Sequence, residues 1–299
     1  MSNFAELKKS RANTLDQIKR ETSKLNAKKS YADDRFWQPT VDKAGNGFAL
    51  IRFLPAPAGE DMPYVQLFKH GFKGPGGWYI ENSLTTLDQP DPLGNYNTSL
   101  WNNGTESGKE QARKQKRKLQ YISNIYVIKD SGNPENNGKV FLYRYGKKIF
   151  DKIDLKMNPG NDIEEQINPY DMWAGMDFML KIRKVGEFRN YDSSEFNAQS
   201  ALLDGDDDAL EQVYNQEHSL QQFLAETEFK SYAELEVRMK QVLGLGGGEY
   251  TSGQAETAEA VEEPPVLRTS EPPGDDTPPW GNDDDSEDLS YFEELASEK

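Results

Sequence analysis

The sequence predicts a mainly β domain with some helix and a helical C-terminal part, carried between a basic N-terminal arm and an acidic tail. Three observations lead there. Between Trp37 and Val185 the apolar residues fall in short alternating runs broken by Gly and Pro, the pattern of strands and turns. From Asp206 to Leu243 the apolar spacing lengthens to a helical period. Charge is also divided: residues 249–299 hold 16 Asp/Glu against Arg268 and Lys299, while residues 1–202 hold 30 Lys/Arg against 25 Asp/Glu, inside a chain of net charge -16. A mildly basic body with a polyanionic end suits a protein that binds a polyanion and whose tail competes for that surface or recruits partners.

Taken in order, residues 1–30 form the arm. Phe4, Leu7, Leu15, Ile18 and Leu25 recur at helical spacing, and the other face carries Lys8, Lys9, Arg11, Lys19, Arg20 and Lys24. Such a helix either covers its own domain or docks on a neighbouring protein or on phosphates. The core spans 31–243. Strands are predicted at Phe48–Leu54, Tyr64–His70 and Trp78–Glu81, with Gly74-Pro75-Gly76-Gly77 as a turn. Residues 82–112 read as a polar, irregular segment, a long loop of the kind that is functional or disordered. Tyr121–Lys129 and Lys139–Tyr145 follow as strands, joined through Asn137-Gly138, and then Met176–Val185. Gly244 to Gly248 closes the helical part. The tail beyond is Pro, Glu, Asp, Ser and Thr, which bury too little apolar area to offset ordering entropy, so 244–299 is predicted to be a linker and a disordered tail.

Composition excludes several chemistries. There is no Cys, hence no disulfide and no thiolate metal site. No run approaches a membrane span, and the N-terminus lacks a signal-peptide core, so a soluble, intracellular protein is expected. No nucleophile elbow or phosphate loop is present. Asp204, Asp206, Asp207 and Asp208 read as a solvated helix start rather than a metal site, and His70 as a structural histidine.

Basic residues interleaved with aromatics are the remaining signal. Arg113, Lys114, Lys116, Arg117 and Lys118 precede Tyr121; Phe141, Tyr143, Arg144, Tyr145, Lys147 and Lys148 lie across the hairpin; Lys181, Arg183, Lys184, Phe188, Arg189 and Tyr191 repeat the theme. In an extended strand Phe141, Tyr143 and Tyr145 share one face and Arg144 takes the other. Aromatics on a sheet suit stacking on unpaired bases, and the lysines, including Lys147 and Lys148, suit phosphates.

These runs resemble the single-stranded DNA-binding (helix-destabilising) proteins of T-even-type bacteriophages. The likeness rests on Ile51-Arg52-Phe53-Leu54-Pro55, His70-Gly71-Phe72-Lys73, Trp78-Tyr79-Ile80-Glu81, Lys116-Arg117-Lys118, Gly138-Lys139-Val140-Phe141, Tyr143-Arg144, Gly146-Lys147-Lys148-Ile149 and Asn190-Tyr191-Asp192, in order over roughly 40–240. It implies an OB-fold-like β-barrel core with a loop-rich inserted subdomain at about 70–112 and cooperative, sequence-independent binding of single-stranded DNA in phage replication, recombination and repair, without enzymatic activity. The implied DNA contacts are Arg52, Lys116, Arg117, Lys118, Tyr121, Tyr143, Arg144, Phe188 and Tyr191. Self-association is implied for the arm, at Lys8, Lys9, Ser10 and Arg11, and contacts with phage replication and recombination proteins for the tail. The expected place of action is the host-cell cytoplasm, with no membrane partner; a recombination mediator or annealing protein is the alternative. The family's insertion binds zinc through one His and three Cys. Here His70 remains, but Ser83 and the run Asp91-Pro92-Leu93-Gly94 stand where Cys residues would, so no zinc or other cofactor is expected.

Overall fold

The computed structural model describes residues 33–245 apart from 162 and 187. The readings of the arm, including Lys8, Lys9, Ser10 and Arg11, and of the tail beyond Leu245 lie outside the described residues. The chain divides into two compact units, Met1–Trp37 and Gln38–Lys299. In the first, the Asp33 carboxylate grips Arg35 (Nη2 to Oδ2 2.6 Å) ahead of a short strand, β1 (Phe36–Trp37).

The second unit is mixed and sheet-rich. Its strands are β2 (Gly47–Phe53), β3 (Tyr64–Gly74), β4 (Gly77–Asn82), β5 (Lys118–Asp130), β6 (Val140–Tyr145), β7 (Met176–Val185), β8 (Phe188–Asn190) and β9 (Glu195–Gln199). All the pairings among them are antiparallel. Strand β5 is their hub. One edge holds β3, from Tyr64 opposite Ser123 to Lys69 opposite Lys118, and further along holds β2, from Phe53 opposite Ile125 to Ala49 opposite Asp130. The other edge holds β6, from Tyr121 opposite Tyr145 to Tyr126 opposite Val140. Between Leu50 and Ile51 the ladder skips Ile128, a bulge that lets β5 bend as it runs along β2. The ladders form an open, branched sheet; no pairing among the described residues closes it into the expected barrel.

The strands predicted from alternation are all present. The expected loop at 82–112 is corrected. It contains a 3-10 turn (Leu84–Leu87) and two helices, α1 (Pro92–Asn102) and α2 (Glu106–Gln115). Their apolar signal is thin: α1 buries Leu93 beside Pro92, Gly94 and Asn97, and Ala112 is the one apolar side chain that α2 buries. Caps mark their starts where the apolar pattern does not. Asp91 and Thr105 are the N-caps, accepting from the backbone N–H of Gly94 and Gly108, and Arg113 and Lys114 lie in the last turn of α2, where cations favour the helix dipole.

A third unforeseen helix, α3 (Lys147–Met157), follows β6 directly and buries Ile149 and Ile153, one turn apart. The helical C-terminal part resolves into α4 (Asp207–Tyr214), with Asp206 as N-cap and Asp207 and Asp208 in its first turn, as the reading of that acidic run required. Two 3-10 turns, Gln221–Leu224 and Glu226–Glu228, lead to α5 (Tyr232–Leu243), which starts at a Ser231–Glu234 capping box and stops at Gly244 (φ +67°).

Helix α5 closes over the insertion. Leu235, Met239 and Val242 pack with Phe72, Tyr79, Leu84 and Leu93 in one cluster. The β3–β4 turn fits beneath its end because residues 74 and 76 are glycine: a Cβ on either would meet the Val242 or the Gln241 carbonyl oxygen, and Gly76 N donates to Val242 O at 2.8 Å. No helix among the described residues is long and apolar enough to cross a membrane.

Candidate nucleic-acid interface

The basic run straddles the junction of α2 and β5. Lys116 is the C-cap of α2, the Arg117 guanidinium lies 4.3 Å from the centre of the Phe68 ring, and Lys118 opens β5. Just upstream, Arg113 sits 5.3 Å over Trp101. Across the sheet, β6 carries Arg144 opposite Ile122, and the chain turns into α3 with Lys147 and Lys148 in its first turn. Lys147 pairs with Asp151 at 2.8 Å and Lys148 with Asp192 at 3.7 Å, both near the surface. Phe188 stands exposed on β8, and Tyr191 follows that strand half-buried.

The aromatic face has the expected direction but not the expected exposure. Ladder registers put Tyr64 and Phe68 of β3, Tyr121 of β5, and Tyr143 and Tyr145 of β6 on one face. Tyr143 and Tyr145 stack 5.5 Å apart, and Tyr121 lies 5.7 Å from Tyr145. All three are nonetheless buried. Helix α3 covers Tyr121, laying Phe150 flat against it with ring centres 3.9 Å apart, and Tyr145 packs edge-on against Phe53 at 5.4 Å. Burial pushes the Tyr121 phenol up to about 12, and burial likewise pushes the Tyr145 phenol up while its hydroxyl bonds Ser123 Oγ at 2.9 Å. Tyr121 and Tyr145 are therefore neutral packing groups. In this conformation Tyr121 and Tyr143 belong to a packed aromatic layer, and Phe188 is the aromatic of the implied contacts that faces solvent. The i, i+4 pair Ile149 and Ile153 was the signal that would have found α3.

Arg52 lies inside the fold. Its side chain is fully buried, and the guanidinium is spoken for by Asp177 (Nη2 to Oδ1 2.7 Å), the Asp171 carbonyl (3.1 Å) and the Ser200 carbonyl (2.9 Å). Asp177 is its ladder partner on β7. A phosphate has no access to it.

The place where the resemblance would put a metal holds a hydrogen-bonded cluster. His70, Ser83 and Asp91 are all buried. Asp91 accepts from Ser83 Oγ (3.0 Å), Leu84 N (3.2 Å) and Gly94 N (2.9 Å), and its Oδ1 lies 3.3 Å from His70 Nε2. The opposite ring nitrogen faces the Gln115 carbonyl at 3.1 Å. Burial pushes the Asp91 carboxyl up, but the His70 and backbone hydrogen bonds outweigh it and hold the group at about 2. One imidazole, one hydroxyl and a carboxylate with both oxygens engaged do not make a tetrahedral zinc site. Among the described residues no group of three or more His, Cys, Asp or Glu could hold a metal ion.

Comparison with known proteins covers this whole framework. The profile described as "gp32 DNA binding protein like" matches residues 45–243. The single-stranded DNA-binding protein of Enterobacteria phage T4 is 38% identical over 251 residues, 80% of this chain and 81% of its own length. That of Enterobacteria phage T2 is 39% identical over 236 residues, 75% and 76% of the two chains. The match runs from before β2 to the end of α5 and so takes in the basic junction, the aromatic layer and the insertion: the chain belongs to the gp32 DNA binding protein like family.

Proposed function

We propose that this protein binds single-stranded DNA without sequence preference and without catalysis, coating exposed strands during phage DNA replication, recombination and repair in the infected host cell. The observation that carries the reading is the pair of basic junctions, Lys116–Lys118 at α2–β5 and Arg144, Lys147 and Lys148 at β6–α3, on a framework matched by relatives named for that binding. Clustered cations along a groove track phosphates, and this term is independent of sequence. In this reading β5, bent between β3 and β2, is the central strand of an OB-like core that spans 31–243. The insertion is held by packing and hydrogen bonds, with no zinc. The arm 1–30 links neighbouring copies along the strand through Lys8, Lys9, Ser10 and Arg11, and the acidic segment beyond Gly248 meets replication and recombination proteins.

Gel-shift titration on oligothymidylate of several lengths, with Mg²⁺ present, tests this. Coating of every length without cleavage or annealing is the expected result; cleavage would overturn the non-catalytic reading, and strand pairing would favour an annealing protein. Removing residues 1–25 should reduce clustering on long strands while leaving short ones within a few-fold. Equal loss on both would place the arm on DNA instead.

A further inference from the structure

Lys69 lies outside every run that marks the interface, yet the ladder sets it among three cations. It is directly opposite Lys118, the last pair of the β3–β5 ladder, at the rim where β3 departs into the insertion. Counting registers across β5, Ile122 faces Val65 on one side and Arg144 on the other, so Lys69, Lys118 and Arg144 share one face. Like charges directly opposite on a ladder repel. All three side chains are half-buried, which strengthens that repulsion relative to open water.

Local carboxylates do not answer the charge of Lys69. Among the described residues its ammonium makes no ion pair or hydrogen bond. The charged groups of the elements packed around it are turned to other tasks. On β4, Glu81 takes Lys230 at 2.5 Å and Arg238 at 3.8 Å. On α2, Lys109 and Arg113 lie over Trp101 and Lys114 pairs with Glu110. On α5, Glu236 pairs with Lys240 and Glu234 caps Ser231. Arg117 is over Phe68. Glu228, exposed on its 3-10 turn, is the one acid whose field reaches Lys69.

We propose that Lys69 is a further DNA-contacting residue, holding a backbone phosphate of the bound single strand together with Lys118 and Arg144. A phosphate supplies several acceptor oxygens and a full negative charge at a point where the protein has gathered cations around an unpaired ammonium. Burial, and then the field of Arg144, lower the Lys69 amine to about 8, a measure of how poorly the protein alone answers that charge. The assignment rests on the single-stranded DNA reading above and adds a residue to it.

The test is fluorescence titration of the full-length protein with oligothymidylate over a range of salt concentrations, for wild type, Lys69→Met and Lys69→Arg. Lys69→Met should bind roughly tenfold more weakly at low salt, and its slope of log affinity against log salt should be shallower by about 0.7. Its melting temperature should hold or rise, because a repulsion is removed, and Lys69→Arg should restore the slope. An unchanged slope and affinity in a folded Lys69→Met, with wild type binding normally, overturns this assignment alone. A lower melting temperature with an unchanged slope makes Lys69 structural and also overturns it. Failure of wild type to bind oligothymidylate overturns the assignment and the functional reading together.

Discussion

The carboxylate of Asp91 and the imidazole of His70 approach to 3.3 Å with neither exposed to solvent, and they join two segments that also share the apolar cluster of Phe72 and Leu93. His70 belongs to β3, Asp91 caps α1, and the far side of the ring reaches the end of α2 through Gln115. One contact thus ties the strand to both helices of the insertion.

Replacing Asp91 by Ala should cost about 3–5 kcal/mol of stability, because the Ser83 hydroxyl and two backbone N–H groups lose a charged acceptor. Chemical denaturation measures it. The Asp91 carboxyl is held below its ordinary 3.8, at about 2, so the stabilisation is complete above about pH 4 and is lost as pH falls through about 2. Chelators should leave the wild-type melting temperature unchanged; a fall on chelation would show that a metal supports this fold.

Glu217 behaves in the opposite sense. Both its carboxylate oxygens are buried without a hydrogen-bond partner, and burial, then the charge of Glu60, push it from 4.5 up to about 8. The folded chain therefore keeps a proton that the unfolded chain has released, and stability falls as pH rises from 4.5 to about 8. Glu217→Gln should match wild type near pH 4.5 and gain on it by up to about 1.4 kcal/mol per pH unit across that window. Melting curves that stay parallel from pH 5 to 9 would contradict this.

For Arg52, truncation to Ala should destabilise by about 3–5 kcal/mol, since it leaves Asp177 without its cation. Lysine should rescue poorly, as it cannot reach the Asp177 side chain and two carbonyls at once. Binding per folded molecule should be unchanged in either variant. A shallower salt slope would instead restore Arg52 to the interface.

Exposed and buried aromatics should separate cleanly. Phe188→Ala, on a ring 42% exposed, should weaken single-strand binding by about 1–3 kcal/mol with little change in melting temperature. Tyr121→Ala, which uncovers Phe150 and Tyr145, should cost about 3–5 kcal/mol of stability. If Tyr121→Ala folds as wild type and loses affinity, the ring reaches a base in the complex.

Strand positions were legible because alternation in 48–54, 64–70 and 176–185 reports a sheet with one face against the core. The helices of the insertion were not, because Leu93 and Ala112 are nearly all the apolar side chains they bury and their starts are fixed by Asp91 and Thr105, which leaves no apolar period to read. Arg52 shows the related difficulty for the site. A cation in a strand looks the same in sequence whether it meets a phosphate or a buried carboxylate 125 residues away, and the distinction lies in which strand becomes its neighbour. Lys69 was passed over for the same reason: its significance is the residue across the ladder.

That same ladder end has an evolutionary consequence. Lys69 and Lys118 are the last partners before the chain departs and the first after it returns, so everything between them is spliced into the sheet at a single clasp. To the strands beyond, the excursion is a closed loop whose contents are interchangeable provided that its ends arrive side by side and its outer face seats α5. A metal-organised cassette and one organised around a carboxylate can therefore occupy the same slot, which lets the inserted module change its chemistry without renegotiating the scaffold that carries it.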